Sequence, residues 1–346
     1  MTVKLGRTGL VVNKTGFGAL PVQRRTVNEA VRILRGAFDA GINYFDTARM
    51  YTDSEEKIGL ALGSVREQII IATKNTAANG REMRSQLETS LGFLKTDYID
   101  VYQFHNHEKY PRPDDGTGLY EAMLEAKQAG KVRFIGITNH RIDVAFDAVR
   151  SGLYDTMQFP FSYISGEKEN GLVKLCAETG TGFIAMKALC GGLLNDIGAA
   201  SAFMNTQSHV VPIWGIQSMD ELEELKAAMQ NEGGPNPAQS LRIERDRAEL
   251  RGTFCRSCGY CLPCPAGIPI FNCARMSLLL RRSPPAQWLT EHWRREMEKI
   301  RDCEDCGHCR EHCPYGIDAP ALLKKNYEDY QTFLREDKLC VESQAI

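Results

Sequence analysis

The chain has 346 residues, of which 43% are hydrophobic and 25% are charged, and its formal net charge is -2 at pH 7. This is the composition of a soluble globular protein, and the length favours two domains. The nearly balanced charge gives no electrostatic reason to expect a nucleic-acid partner, and no uninterrupted apolar run approaches the roughly 18 residues that span a membrane.

The first 230 residues alternate short apolar runs with helical patterns. Eight such runs begin near Lys14, Ile42, Gln68, Tyr98, Val132, Thr156, Gly182 and Val210. Steps of about 24 to 34 residues between them fit βα units with short loops. Eight consecutive units favour an α/β fold with a closed (βα)8 TIM barrel over an open doubly wound sheet, which usually has fewer strands. Val3 to Val12 is predicted to form a hairpin before the barrel.

The predicted barrel ends before a turn-rich stretch. The eighth helix is expected to end near Gln230, and residues 231–238 read Asn-Glu-Gly-Gly-Pro-Asn-Pro-Ala. Gly and Pro at this density predict a domain boundary. We therefore expect the barrel over residues 1–235 and a second, helical domain over residues 236–346. In that domain a charged helix is expected from Leu241 to Arg251, and two more between Ile270 and Ile300, broken at residues 283–285.

Ten of the twelve cysteines lie after Arg251. Eight of them form two runs, which are Cys255, Cys258, Cys261, Cys264 and Cys303, Cys306, Cys309, Cys313. A proline follows the last cysteine of each run. Three thiolates at three-residue steps can bind three corners of a cubane, and in two-cluster ferredoxins the cysteine before the proline binds the other cluster. The second domain is thus predicted to be ferredoxin-like, with two [4Fe-4S] clusters.

The same rule predicts which cysteines share a cluster. We expect one set of Cys255, Cys258, Cys261 and Cys313, and another of Cys303, Cys306, Cys309 and Cys264. The first run is one residue shorter than the second before its last cysteine, so the loop there must be tighter. Cys273 is therefore a rival for the ligand position given to Cys264.

Two other uses of the cysteines fit the sequence less well. A zinc ribbon needs two C-x2-C pairs for one tetrahedral site and gives no role to a third cysteine in each run. A disulfide framework needs an oxidising compartment, whereas the first residues contain no apolar stretch of the kind found in a secretory signal. We expect a cytoplasmic, oxygen-sensitive protein that carries electrons.

Four polar residues follow predicted barrel strands, at the end where (βα)8 barrels have their shared site. They are Asp46, Tyr51, Lys74 and His105. A phenol with a pKa of about 10 needs a nearby cation to act as an acid or base at neutral pH, and Lys74 could supply that charge. Asp46 would hold the ammonium in place, and His105 could donate a hydrogen bond to a bound carbonyl oxygen. Each could be an ordinary loop or structural residue, but together they predict a proton-transfer site.

Five segments of the barrel region resemble the aldo-keto reductase family. They are Leu5-Gly-Arg-Thr-Gly-Leu, Gly41-Ile-Asn-Tyr-Phe-Asp-Thr-Ala-Arg-Met-Tyr, Ala72-Thr-Lys, Asp100-Val-Tyr-Gln-Phe-His and Gly130-Lys-Val-Arg-Phe-Ile-Gly-Ile-Thr-Asn. The resemblance implies a (βα)8 barrel that transfers a hydride between a nicotinamide cofactor and a carbonyl or alcohol. The family's Asp, Tyr, Lys and His tetrad falls on the four residues named above. By this resemblance Tyr51 is the general acid in reduction and the base in oxidation.

The resemblance also implies eight positions that contact the cofactor. They are Thr138, Asn139, Gln158, Met186, Gly215, Gln217, Ser218 and Glu221. The first three match the family's contacts to the nicotinamide amide, and Met186 replaces the tyrosine that stacks on the ring. Gly215 and Glu221 stand where NADP-binding members have a Lys and an Arg. Because a carboxylate repels a 2′-phosphate and can bond a ribose hydroxyl, NAD(H) is favoured over NADP(H), although Glu221 could simply interact with the helix dipole.

A branch of this family carries a ferredoxin-like tail with motifs such as Cys258-Gly-Tyr-Cys-Leu-Pro-Cys-Pro, and the chain resembles that branch. Three interpretations follow. In the first, the barrel interconverts a small carbonyl and an alcohol, and the clusters relay electrons to or from a redox partner protein. In the second, the chemistry is the same and the clusters only stabilise or position the tail. In the third, the chain is an electron-transfer protein with the barrel as a docking scaffold, which the complete tetrad disfavours.

Overall fold

The structure, a computed structural model, describes residues 1–250 and 254–344. It divides into two compact units, Met1–Ala188 with Asp196–Arg245 and Leu189–Asn195 with Asp246–Ile346. The division falls inside a helix, Pro237–Glu249, and so lies later in the chain than the boundary predicted at residue 235. The short segment 189–195, which lies between two barrel elements in the chain, is part of the second unit.

The first unit contains a closed barrel of eight parallel strands. The strands are β3 (Gly16–Gly18), β4 (Tyr44–Asp46), β5 (Ile70–Asn75), β6 (Ile99–His105), β7 (Val132–Thr138), β8 (Thr156–Pro160), β9 (Gly182–Met186) and β10 (Val210–Gly215). They follow one another around the barrel in chain order, and β10 pairs with β3 to close it. Each strand begins within two residues of its predicted position. The predicted (βα)8 barrel is confirmed.

The strands form because their sequences are apolar on both faces, as buried parallel strands require. Every residue of β5 is buried, for example, including its polar ones. Two short antiparallel strands precede the barrel, β1 (Thr2–Lys4) and β2 (Val11–Asn13), so the predicted hairpin is present. This hairpin contributes Leu5 and Leu10 to an apolar cluster with residues near the amino ends of the barrel strands.

Eight helices alternate with the strands. They are α1 (Val27–Asp39), α2 (Ser54–Leu62), α3 (Gly80–Leu94), α4 (Leu119–Gln128), α5 (Ile142–Arg150), α6 (Glu167–Thr179), α7 (Ile197–Asn205) and α8 (Met219–Met229). Their ends follow known capping rules. Thr26 and Glu29 form a reciprocal capping box at the start of α1, and Gly180 ends α6 in the left-handed conformation that glycine adopts without strain.

The second unit is helical. It begins within α9 (Pro237–Glu249) and continues with α10 (Ile270–Cys273), α11 (Met276–Arg282), α12 (Glu291–Glu298), α13 (His308–Glu311) and α14 (Ala319–Gln344). Three helices, rather than the two expected, lie between residues 270 and 300, and the break at residues 283–285 is where the prolines predict it. Trp288 and Trp293 contact each other with their ring planes tilted by 53° and their centroids 5.0 Å apart, and both pack against the core of this unit. Within the described residues, no helix combines the length and apolar character that membrane crossing demands.

Candidate functional site

The four residues predicted to form a catalytic tetrad lie on one part of the barrel rim. Asp46 is the last residue of β4, His105 is the last of β6, and Lys74 is the next to last of β5. Tyr51 lies in the turn between β4 and α2. Since β4, β5 and β6 are neighbours in the sheet and their carboxyl ends share one rim, the fold itself brings these side chains together.

Asp46 and Lys74 form a buried ion pair. The Lys74 Nζ atom donates to Asp46 Oδ1 at 2.6 Å and to the Thr47 carbonyl oxygen at 2.5 Å. Asp46 is 2% exposed and Lys74 1%. Burial raises the pKa of Asp46, and the neighbouring ammonium only partly offsets this effect. Because breaking a buried pair from one side costs about 3–5 kcal/mol, each partner holds the other in a fixed position.

Tyr51 lies beside both Lys74 and His105. The Lys74 Nζ atom is 5.2 Å from the centroid of the Tyr51 ring, and the His105 ring meets that ring edge-on at 5.9 Å. Burial raises the pKa of Tyr51, and the nearby Lys74 ammonium lowers it by a smaller amount. Lys74 therefore favours the phenolate, as predicted, but burial has the larger effect. The phenol stays protonated at neutral pH, as a proton donor must.

His105 is neutral in this site. Burial, followed by the nearby Lys74 charge, lowers its pKa to about 3. A neutral imidazole donates one hydrogen bond and carries no charge that would compete for a proton. This matches the predicted role of His105 as a hydrogen-bond donor to a carbonyl oxygen.

A further member of this network, Gln103, is not among the residues predicted from the sequence. Its Nε2 atom donates to Asp46 Oδ2 at 3.2 Å and to Gln158 Oε1 at 2.8 Å, and Gln158 Nε2 donates to Asp46 Oδ1 at 3.4 Å. All three side chains are buried. The available signal was an amide two residues before His105, on the same side of β6. Gln103 thus helps to orient the carboxylate that holds Lys74.

Four polar atoms near the end of β6 are buried and have no hydrogen-bond partner within the described part of the chain. They are Gln103 Oε1, His105 Nδ1, Asn106 Oδ1 and His107 Nε2. Buried polar groups are nearly always paired in proteins, so such a group calls for an explanation. Their concentration at one strand end is the arrangement expected of a site that binds a polar small molecule.

Two of the predicted nicotinamide contacts lie at strand ends, and the other two already use both ends of their side-chain amides within the protein. Gln158, in the middle of β8, is bonded to Gln103 and Asp46 as described above. Thr138 ends β7, Met186 ends β9, and the Thr138 hydroxyl is 3.9 Å from the Met186 sulfur. Asn139, in contrast, uses both ends of its side chain within the protein. Its Nδ2 atom donates to the His107 carbonyl oxygen at 2.8 Å, and its Oδ1 atom accepts from the His140 and Arg141 amides at 2.9 and 2.7 Å. In this structure Asn139 shapes the loop.

The predicted contacts after β10 form the start of α8. Gly215 ends β10, and Ser218 caps α8 by accepting a hydrogen bond from the Glu221 amide at 3.2 Å. The Glu221 carboxylate accepts from the Gln217 amide at 2.8 Å and from Gln217 Nε2 at 3.1 Å. Glu221 therefore has a capping role, and its negative charge stays at the helix start.

The second unit has two cysteine-lined cavities. The Cys303 cavity is lined by Cys261, Cys264, Cys303, Cys306 and Cys309. The Cys255 cavity is lined by Cys255, Cys258, Cys261, Cys309 and Cys313. Each cavity contains one complete predicted set of four thiols, and Cys261, Cys309 and Ile270 line both. No three His, Cys, Asp or Glu side chains of the described chain converge on a single-ion site, whereas a cubane binds each thiolate at a separate corner.

The two cysteine runs have matching backbone conformations. Left-handed φ values recur at corresponding positions, which are Ser257 and Asp305 (54° and 50°), Gly259 and Gly307 (87° and 82°), and Gly267 and Gly316 (66° and 61°). The offset between the runs is 48 residues up to the third cysteine and 49 from the fourth. The missing residue of the first run is thus absorbed between Cys261 and Cys264, and Cys264 corresponds to Cys313.

The rival ligand, Cys273, lies elsewhere. It is 0% exposed within the apolar core of the second unit, and its thiol lies 3.8 Å from the Glu296 carbonyl oxygen. It lines neither cavity. The geometry therefore favours Cys264 over Cys273.

Comparison with known proteins decides the family. A model described as the Aldo/keto reductase family matches residues 14–238, well over half of the chain. The chain belongs to this family. A model described as a 4Fe-4S dicluster domain matches residues 254–318, so this aldo/keto reductase carries an iron-sulfur domain after its barrel.

Curated relatives and solved structures agree with this membership. The uncharacterized oxidoreductase YqkF of Bacillus subtilis is 31% identical over 66% of this chain and 76% of its own length. L-galactose dehydrogenase of Arabidopsis thaliana is 33% identical over 56% of this chain and 67% of its own. A putative aldo-keto reductase from Pseudomonas aeruginosa is 25% identical, with a TM-score of 0.58, and covers 66% of this chain and 94% of its own. An aldo-keto reductase from Klebsiella pneumoniae, solved in complex with NADPH, shares the fold at 23% identity, 70% and 94% coverage and a TM-score of 0.60.

The buried histidines of this aldo/keto reductase predict acid-sensitive stability. Burial lowers the pKa of His105 to about 3 and also lowers that of His107. In the unfolded chain a histidine has a pKa of about 6.5. The stability contributed by the neutral form is therefore complete above about pH 6.5 and is lost as the pH falls toward the folded pKa, at up to about 1.4 kcal/mol per pH unit for each such residue.

Urea unfolding at pH 7 and pH 5 measures this effect. We expect His107→Gln to lose less stability than the wild type between the two pH values. His209 is exposed, so His209→Gln is the matched control and should lose as much as the wild type. An unchanged pH dependence in His107→Gln would contradict the assignment of a neutral buried imidazole.

Proposed function

We propose that the protein is a nicotinamide-dependent oxidoreductase that interconverts a small carbonyl compound and the corresponding alcohol by hydride transfer. The observation that carries this proposal is the arrangement at the barrel rim. A protonated phenol, a neutral imidazole and a buried ion pair lie together at the strand end where (βα)8 barrels have their shared site. The nicotinamide, when bound, supplies or accepts the hydride.

Each residue of the tetrad has a distinct task in this proposal. Tyr51 donates its phenolic proton to the carbonyl oxygen during reduction and takes a proton from the alcohol in the reverse direction. His105 donates a hydrogen bond to the same oxygen and orients it. Lys74 stabilises the phenolate that remains after proton donation, and Asp46 holds Lys74 in place. The unpaired polar atoms at the end of β6 support a polar ligand at this position.

The cofactor contacts are a further part of the proposal. Thr138 would meet the nicotinamide amide and Met186 the ring face, since each ends its strand. Gln158, whose amide is bonded to Gln103 and Asp46, would reach the nicotinamide amide only by giving up one of these bonds. Asn139 would act by holding the loop, since both ends of its side chain are engaged. The Glu221 carboxylate at the start of α8 would repel a 2′-phosphate, so we propose NAD(H) over NADP(H).

We also propose that the two cavities hold two [4Fe-4S] clusters with the predicted ligand sets. The matching φ values of the two runs and the presence of four predicted thiols in each cavity support this. Thiolate ligands must stay reduced, so a cytoplasmic location fits them. Cys306 is the exposed cysteine among those described, and the cavities share a wall. This favours a second function, which is electron transfer through the clusters to a redox partner protein.

The test begins with anaerobic purification and a count of iron and sulfide, for which two clusters require about eight of each per chain. NADH and NADPH are then offered with a panel of small aldehydes, ketones and alcohols. We expect nicotinamide-dependent turnover, with NADH preferred. A protein that neither binds nor consumes either nicotinamide would disprove the hydride-transfer proposal. Bleaching of the cluster absorbance by NADH would support the electron relay, and turnover without bleaching would count against it.

A further inference from the structure

The side chain of Gln103 lies across a neighbouring strand inside the barrel. Gln103 is paired in register with Gly136 of β7, and its Nε2 atom reaches Gln158 Oε1 on β8 at 2.8 Å. A Cβ atom at Gly136 would lie only 2.8 Å from the Gln103 Cγ atom. The absence of a side chain at Gly136 therefore leaves the space that the Gln103 side chain occupies.

The orientation of the Gln103 amide is fixed by its two hydrogen bonds. The Asp46 carboxylate, which accepts from Lys74, has no N–H group to offer, so the Gln103 atom that faces it must be the nitrogen. The second N–H group of that nitrogen donates to Gln158. Both donors of the Gln103 amide are thus used, and its Oε1 oxygen remains.

This Oε1 oxygen is a buried acceptor without a donor. Gln103 is 0% exposed, and none of the described residues donates a hydrogen bond to the oxygen. An acceptor that is left unpaired in a protein interior is destabilising, so buried acceptors nearly always have a partner. The partner of Gln103 Oε1 must bring an N–H or O–H group.

The place of Gln103 in the barrel identifies the class of donor. Gln103 precedes His105 by two residues and Gly136 precedes Thr138 by two, so both lie one inward-facing position deeper than the residues proposed to meet the substrate carbonyl and the nicotinamide amide. His105 and Thr138 are themselves paired in register. Gln158, the other proposed contact to that amide, is already bonded to Gln103. The nicotinamide amide therefore needs a further acceptor at this depth.

We propose that Gln103 Oε1 accepts an N–H group of the nicotinamide amide, so that Gln103 is a cofactor-binding residue. This inference rests on the proposed nicotinamide-dependent function and adds a contact to it. The amide of the cofactor has two N–H groups, and a buried carbonyl oxygen is a suitable acceptor for one of them. The contact also removes the cost of the unpaired oxygen. Gly136 contributes by leaving room for the Gln103 side chain.

The experiment compares dissociation constants, measured anaerobically on the full chain by isothermal titration calorimetry. The ligands are NAD⁺ and its acetylpyridine analogue, in which a methyl group replaces the amide nitrogen and no N–H group remains. We expect Gln103→Leu to weaken the binding of NAD⁺ about three- to tenfold more than that of the analogue, the usual contribution of one hydrogen bond. The thionicotinamide analogue keeps the N–H groups and should respond to Gln103→Leu as NAD⁺ does.

Thr156→Val is the matched control. The Thr156 hydroxyl oxygen is also buried without a hydrogen-bond partner among the described residues, and it too lies beside Gly136, 2.5 Å from a Cβ atom placed there. Thr156 begins β8, at the end far from the barrel rim, so Thr156→Val should change none of the affinities. If Gln103→Leu does not fold, Gln103→Met takes its place, since it keeps the length of the side chain.

Equal effects of the Gln103 variants on NAD⁺ and the acetylpyridine analogue, including no effect on either, would overturn the proposal. Gln103 would then only position Asp46 and Gln158. A wild-type protein that binds the two ligands equally well would also overturn it, because no N–H group of the amide would be bonded. These results differ from a failure of the proposed function, in which the wild type binds neither NAD⁺ nor NADP⁺. If NADP⁺ alone binds, NADP⁺ and its acetylpyridine analogue are compared instead.

Discussion

Tyr51→Phe should lower kcat for nicotinamide-dependent carbonyl reduction by about 10²- to 10⁴-fold, the usual contribution of a positioned general acid. The physical reason is that burial keeps the phenol protonated next to the Lys74–Asp46 pair, and phenylalanine has no proton to donate. The ring itself, with its edge-on contact to His105, is preserved. Steady-state kinetics with NADH and an active substrate would measure the loss.

The variant is informative because it leaves the buried charges in place. Substitution of Lys74 would strand the Asp46 carboxylate and confuse lost catalysis with lost stability. Tyr98→Phe is the matched control, since Tyr98 lies before β6 at the opposite end of the barrel strand and stacks on Arg66. We expect Tyr98→Phe to retain activity and both variants to keep their full iron content. Full activity in Tyr51→Phe would refute the assignment of the general acid.

The barrel could be predicted from sequence because its strands carry a local signal. A strand that is buried on both faces appears in the sequence as a short apolar run. Eight such runs at similar spacing favour a (βα)8 barrel over other α/β folds. The proximity of Asp46, Lys74 and His105 could be predicted for the same reason, since Asp46 and His105 end their strands and Lys74 is next to last in its own. What could not be predicted is the bonding of Gln103 to Asp46 and Gln158, because it depends on how three separate strands are registered in space.

Residues with two plausible uses show the same limit. Asn139 was expected at the nicotinamide, yet the loop uses both ends of its side chain. Glu221 was expected near the cofactor ribose or at the helix dipole, and the structure shows it bonded to Gln217 at the start of α8. The type of a residue and its position in the sequence do not show whether its side chain contacts a ligand or the protein backbone. The side-chain partners decide it, and they come from non-local folding.

In the second unit the spacing of cysteines could predict two sets of thiols but not the path of the chain between them. The four-residue helix α10 is too short to show a helical period, which is why three helices were read as two. The left-handed backbone at Ser257 and Asp305 gives no sequence signal, because neither residue is glycine. The segment 189–195 belongs to this unit through contacts such as that between Arg275 and Gly191, which are distant in sequence.

Cys264→Ala should remove one cluster, whereas Cys273→Ala should remove none. Cys264 lines the Cys303 cavity and corresponds in backbone conformation to the cysteine before the proline in the other run. Loss of this ligand leaves three thiolates for four corners, so iron should fall from about eight to about four per chain. Cys273 lies in the apolar core, where alanine removes one sulfur atom and a weak contact to the Glu296 carbonyl oxygen.

Iron and sulfide analysis of anaerobically purified protein distinguishes the two cysteines, and the identical substitution makes each variant the control for the other. Loss of iron in Cys273→Ala with full iron in Cys264→Ala would reverse the assignment. It would mean that the shortened loop between Cys261 and Cys264 cannot present its last thiol to the Cys303 cavity. Retention of the predicted pattern would show that one missing residue is accommodated by the loop, because the left-handed turns at Gly259 and Gly267 are kept on both sides of it.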